Sequence, residues 1–305
     1  MCMLTRYVRK EVTWIDCVSP SSGEVRSLIQ EFGIDPLIAE EFLLPSYKSK
    51  VERHGDHLYV ILHFPVLHGA QRHPEQEIDF LIGKNFLITT RYETVDPLHS
   101  FAKAFEVDTV LGRDSATHHG GHLFVSMTQN LYQALLNECD TIHKRLWNIE
   151  EHIFRGDERR MVAKLSQVGR TIHDFKQSLA PHREMLLSFD PASTRMFGAE
   201  FSYHVRTLVN AYERVDRTLA NLHDSLSELR ETNNSLLSAK QNEIMKEFTV
   251  LAFVFLPLTF ISGLFGMNTM NNPVVGNTFD FWIVLGGMLC ISFGFFLYFK
   301  RKGWL

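Results

Sequence analysis

Gly266, Met267 and Asn268 close an uncharged run that begins at Phe248. An amide at the end of such a run has two uses. It ends a helix in a turn, or it offers its carbonyl oxygen and N–H groups to something arriving from solution. Further back along the chain, Thr259, Asn242 and Glu231 are oxygen-bearing residues on what reads as the same helix. On one chain they are ordinary solvated positions. Repeated around a symmetry axis, each becomes a ring of oxygens, and stacked rings make a cation pathway.

The elements that would position these residues follow from the distribution of charge. The 305 residues are 45% hydrophobic and 22% charged, but unevenly so. Neither "FTVLAFVFLPLTFISGLF" (248–265) nor "FWIVLGGMLCISFGFFLYF" (281–299) contains Asp, Glu, Lys or Arg. Each is about the 20 apolar residues that a membrane helix needs. The other reading of such runs is a pair of buried core helices. Lys300, Arg301 and Lys302 follow the second run, Lys240 and Lys246 precede the first, and the linker between them has no Lys or Arg. Positive residues favour the cytoplasmic side. Both termini are therefore expected in the cytoplasm, with the linker and Asn268 outside. The N-terminus has no long apolar stretch, so no signal peptide is expected. The net charge of −4 argues against a nucleic-acid partner. Cys2, Cys17, Cys139 and Cys290 have no paired or metal-type spacing. No glycine loop with the lysine of a nucleotide-binding motif occurs, and no nucleophile–base pair suggests an enzyme.

Before the apolar runs the chain reads as α/β, then as long helices. "VTWIDCV" (12–18) has strand composition, and 49–53, 57–64, 76–82 and 85–91 are further strand candidates. Ser19, Ser21 and Ser22 on one side and Gly33 on the other bracket a helix, a short one is expected from Asp35 to Leu44, and another over 97–106. Past residue 118 a helix is predicted from Leu123 to Phe154, turned by "RGDE". Met161, Leu165, Val168, Ile172, Phe175 and Leu179 then alternate steps of four and three, which is a heptad seam, and Pro181 interrupts it. A third seam runs from Phe201 to Leu236. It suits either an intramolecular antiparallel coiled coil or one helix continuing into the first apolar run. No Gly or Pro occurs between Glu200 and Pro257, and such a helix would be on the order of 100 Å long. The expected organisation is a cytosolic α/β domain (1–118), a long-helix stalk (119–247) and a two-span membrane domain (248–305). The last divides into spans 248–265 and 281–299, an outer loop 266–280 and a basic tail 300–305.

With "NEIMKEFTVLAFVFLPLTFISGLFGMN" (242–268) in view, the chain resembles the CorA family of magnesium transporters. Gly266-Met267-Asn268 matches that family's signature at the end of the first of two C-terminal spans. The resemblance implies a CorA-like funnel, a homopentamer whose first spans line the pore. It implies that Gly266, Met267 and Asn268 form the selectivity filter, with Asn268 receiving magnesium through its water shell. Thr259, Asn242 and Glu231 become pore-lining rings, and Leu256 and Phe248 the apolar gate. The partners implied are divalent cations, the inner-membrane bilayer and other copies of the chain. No cofactor is expected, magnesium being the cargo and a candidate regulator, with cobalt and nickel as passengers.

The choice of residues suits the ion. Mg²⁺ gives up its six waters reluctantly. A ring of amides can accept hydrogen bonds from those waters without trapping the metal. The chain also departs from the family. Asn271 and Asn272 stand where an outer acidic residue is frequent, leaving Asp280 as the acid of the outer loop, and Thr207 and Asn210 stand where other members carry cytosolic sensing carboxylates. His118, His119 and His122 form a histidine-rich group that reads as a polar loop or a weak zinc site. A zinc transporter of the same superfamily and a non-conducting membrane-anchored coiled-coil scaffold are the alternatives.

Overall fold

The computed structural model describes residues 3–9, 11–46, 48–65, 75–93, 95–110, 119–267 and 279–304. The chain divides into two units, Met1–Arg230 and Glu231–Leu305.

The first unit is built on a six-stranded sheet. Its strands are β1 (Met3–Arg9), β2 (Val12–Val18), β3 (Lys50–His54), β4 (His57–Pro65), β5 (Glu75–Ile82) and β6 (Phe86–Arg91), ordered β1-β2-β6-β5-β4-β3. Only β2 and β6 run parallel; the other neighbours are antiparallel. The crossover between β2 and β6 carries α1 (Ser22–Phe32) and α2 (Pro36–Glu41). Ser21 caps α1: its side chain accepts from the Glu24 N–H while Glu24 reaches back to the Ser21 N–H, a reciprocal capping box. Gly33 ends α1 at φ +63°, a left-handed conformation that glycine adopts without a Cβ penalty.

Alternation along the strands sends side chains to two faces. Ile15, Tyr59, Ile61, Leu81 and Ile88 pack with Val25 and Leu28 of α1, Ile38 of α2 and Phe42 just after it. The opposite face meets helices. Trp14 lies against Phe101 and Phe105 of α3 (Asp96–Val110), and Phe80 against Phe124 of α4 (Gly120–Phe154). The start of α4 is pressed onto the β5–β6 turn. A Cβ on Gly120 would stand 2.2 Å from the Phe86 carbonyl oxygen, so only glycine fits.

Three further helices follow: α5 (Glu158–Leu179), α6 (His182–Phe197) and α7 (Phe201–Phe265). All six residues of the α5 seam are buried, as are the α7 seam residues from Phe201 to Leu229. His182 of α6 ties three elements together. Its Nε2–H donates to the His63 carbonyl of β4 at 2.9 Å, and its Nδ1 accepts from the Tyr132 hydroxyl of α4 at 2.8 Å. That pattern requires neutral imidazole, and full burial pushes the His182 pKa down to about 4.

Two elements were not expected. β1 precedes the first predicted strand, and α6 is a helix of its own where Pro181 was read only as an interruption. α2 stops at Glu41, three residues before the predicted Leu44, and α3 extends to Val110, past the predicted end at 106.

Candidate ion-conduction site

α7 is one helix of 65 residues, interrupted by neither glycine nor proline until Pro257. The helix continues from the seam into the apolar run, as one reading of the seam expected, while the seam itself from Phe201 to Leu229 is covered within the chain. In the second unit its character changes. Glu231, Ser235, Ser238 and Asn242 follow one another at steps of four, three and four, which places them on one face. With Asn234 they line a shallow groove of about 680 Å³. Ser235 and Ser238 were missed on the sequence, although the same spacing counted from Glu231 points to them.

Beyond the groove, Phe248 and Leu256 are exposed, at 65% and 69%. Thr259 is exposed too; its hydroxyl donates to the Phe255 carbonyl at 2.9 Å, leaving its oxygen able to accept from the other side. Gly266 closes the helix, its N–H bonded to the Ser262 carbonyl at 2.9 Å. Met267 is exposed. Asn268 lies outside the described residues, as do Asn271 and Asn272; of Asp280 only the backbone is described.

A second apolar helix, α8 (Asp280–Arg301), returns beside α7. Phe253 and Phe299 meet with ring centroids 6.1 Å apart, and Val250 and Phe299 are the buried apolar residues among those described in this unit. Lys246 donates to the Gly303 carbonyl at 3.3 Å, and Lys302 stands over the rings of Tyr298 and Trp304. α7 and α8 are both long and apolar enough to cross a membrane, and only 6% and 0% of their most apolar stretches are covered within the chain. Helices of a soluble core would be covered, so the buried-core reading fails.

The other marked residues fall in the first unit. Thr207 of α7 accepts from the Gln129 side chain at 2.9 Å and donates to the His204 carbonyl at 2.7 Å, a contact that joins α7 to α4. His118 lies outside the described residues. His119 and His122 stack at 3.9 Å between ring centroids, and His119 also stacks on Phe197 at 4.2 Å. Rings stacked face to face do not converge on one metal, and among the described residues no group of three His, Cys, Asp or Glu is placed to hold one.

The sequence matches the family described as CorA-like Mg2+ transporter protein over residues 9–301. The chain belongs to that family. Among its relatives, a protein of Thermotoga maritima named cobalt/magnesium transport protein CorA is 24% identical over 96% of this chain and 83% of its own length. One of the same name from Methanocaldococcus jannaschii is 23% identical over 96% of this chain and 91% of its own. The solved CorA magnesium transporter of Methanocaldococcus jannaschii has the same fold, with a TM-score of 0.83 at 22% identity over 97% of this chain and 92% of that one. The expected architecture is therefore the observed one: an α/β sheet domain, long helices and two C-terminal apolar helices. A CorA-like chain is a membrane-borne metal-ion transporter and not an enzyme.

Proposed function

We propose that this CorA-like protein is a homopentameric channel for hydrated Mg²⁺, with Co²⁺ and Ni²⁺ as further cargo. Five copies of α7 surround the pathway and α8 faces the lipid. Asn268 forms the outer ring, backed by Gly266 and Met267. Thr259, Asn242 and Glu231 are polar rings beneath it, and Leu256 and Phe248 close the path by dewetting. Both termini are cytoplasmic in this reading, as the basic residues at 240, 246 and 300–302 and their absence from the linker favour.

The observation that carries the reading is the uncovered face of α7. Glu231, Asn242, Phe248, Leu256 and Thr259, which it asks to line a pore, are exposed on a helix that runs up to Gly266. Large apolar side chains such as Leu256 and Phe248 need a neighbour, and other copies of α7 supply one. The relatives named cobalt/magnesium transport proteins support the choice of cargo. The driving force needs no nucleotide: a divalent ion moving inward gains about 4.6 kcal/mol per 100 mV of inside-negative potential.

The test is flux into proteoliposomes under an imposed potential. Asn268→Ala is expected to abolish magnesium uptake while the protein still assembles. Wild-type uptake by that variant would defeat the filter assignment. Absence of flux from the wild-type protein would favour the scaffold, and zinc flux exceeding magnesium flux would favour a zinc transporter.

A further inference from the structure

Within the first unit, the α4/α5 hairpin opens a cleft of about 530 Å³. Lys144 and Arg145 line it from α4, and Lys164 from α5. No Asp or Glu lines it, and among the described residues none of these three cations has an ion-pair partner. Asp157 is a carboxylate of the connecting turn. It is held below the usual carboxylate range first by its hydrogen bond to His152, with Arg160 and Lys164 adding weaker attraction.

Elsewhere in the same unit cations find carboxylates: Arg6 pairs with Glu31, Lys50 with Glu41 and Arg91 with Asp16, each at 2.7 Å. Acids are not scarce in a chain of net charge −4. Yet residues 141–171 hold seven Lys or Arg against four Asp or Glu. Like charges around one cleft repel until an anion sits between them.

The cleft is also held on a firm backing. Its lining residues recur at helical spacing, one to two per turn on each helix, so they share a face. Ile149 and Val168 at its base are buried, which clamps the two helices together beneath the charges. Asn148 and Gln167 add amide donors. A cleft of this size falls in the range of roughly 300–1,000 Å³ typical of small-molecule sites. Three cations and two amides outnumber what one phosphate needs and match a chain of phosphates.

We propose that this cleft binds a soluble polyphosphate of the nucleoside triphosphate class, and binds the metal-free form in preference to the magnesium complex. The preference follows from charge: a bound Mg²⁺ cancels part of the negative charge that the cations recognise. Occupancy would then rise when cytosolic magnesium falls short of nucleotide, reporting scarcity to the protein. That regulatory consequence rests on the proposed magnesium transport; the binding does not.

The test is calorimetric titration of the full-length protein in detergent with ATP and with inorganic triphosphate, in EDTA and in excess magnesium chloride. Vesicles of phosphatidylglycerol form a third arm. Both soluble anions are expected to saturate one site per protomer, with affinity at least roughly tenfold higher in EDTA. Lys144→Gln, Arg145→Gln and Lys164→Gln together are expected to weaken binding by roughly tenfold or more. If the triple variant melts early, Lys164→Gln alone is read instead and should still weaken binding. Asn268→Ala should bind as wild type does, which separates this proposal from the transport assignment. The proposal is overturned by no saturable binding at millimolar anion, by binding indifferent to the three cations, by tighter binding of the magnesium complex, or by association with vesicles alone.

Discussion

The two parts of α7 obey different rules. Between Phe201 and Leu229 every seam residue is buried, with Leu208 and Leu219 wholly inaccessible. From Glu231 onward the same helix turns polar and then apolar, and almost nothing is covered. In the first part, hydrophobic side chains are satisfied by the chain's own α4–α6 region. In the second the chain itself leaves them uncovered. One helix therefore carries both a completed core and a long uncovered stretch, and exposure within the chain marks where the second begins.

That contrast can be broken by substitution. Leu208→Ala should cost the folded protein 2–5 kcal/mol, the range for deleting a buried leucine side chain. Chemical denaturation in detergent, followed by circular dichroism, measures it. A loss below about 1 kcal/mol would mean that the buried seam is not a close-packed core.

The next effect is one of pH. His182 has its folded pKa lowered to about 4, against an ordinary value of 6.5. Between those values the unfolded chain binds the proton and the folded one does not. The stability tied to its neutrality is complete above pH 6.5 and is lost as pH falls toward 4, to a total of about 3 kcal/mol. His63 works in the opposite sense. Burial lowers its pKa, but hydrogen bonds to Glu77 and the Ser46 carbonyl outweigh that and raise it, so its contribution is lost as pH rises. Comparing wild type with His182→Gln across pH 4–7 isolates the His182 part. Parallel stability curves for the two proteins would refute the assignment.

The smallest stability change is expected at the far end of α7. Leu256→Ala should alter unfolding of the dissociated protomer by no more than about 0.5 kcal/mol, since its side chain is uncovered in the single chain. It should instead raise resting magnesium leak in proteoliposomes. A large stability loss without leak would assign Leu256 to packing and remove it from the gate.

Much of this was legible in the sequence, for identifiable reasons. β2, β4, β5 and β6 are short apolar runs bounded by turn residues, and local pattern is enough to find them. β1 was not found because "MLTRYVR" is charged and lies at the sheet edge, where its identity comes from pairing with β2. α6 was hidden because a proline inside a helical pattern reads as a break, although proline is also common where a helix starts. In the candidate pathway, Asn242, Thr259 and Glu231 could be found because they share one helix. The cation-lined cleft could not, since Lys144 and Lys164 become neighbours only when α4 and α5 fold against each other.

The unbroken backbone of α7 has a mechanical corollary. Hinges form where a few residues can absorb large dihedral changes. Pro257, Gly263 and Gly266 are the first residues along this shaft with unusual backbone freedom or a missing donor, and they gather in its final turns. Backbone freedom within α7 is thus concentrated in its last turns.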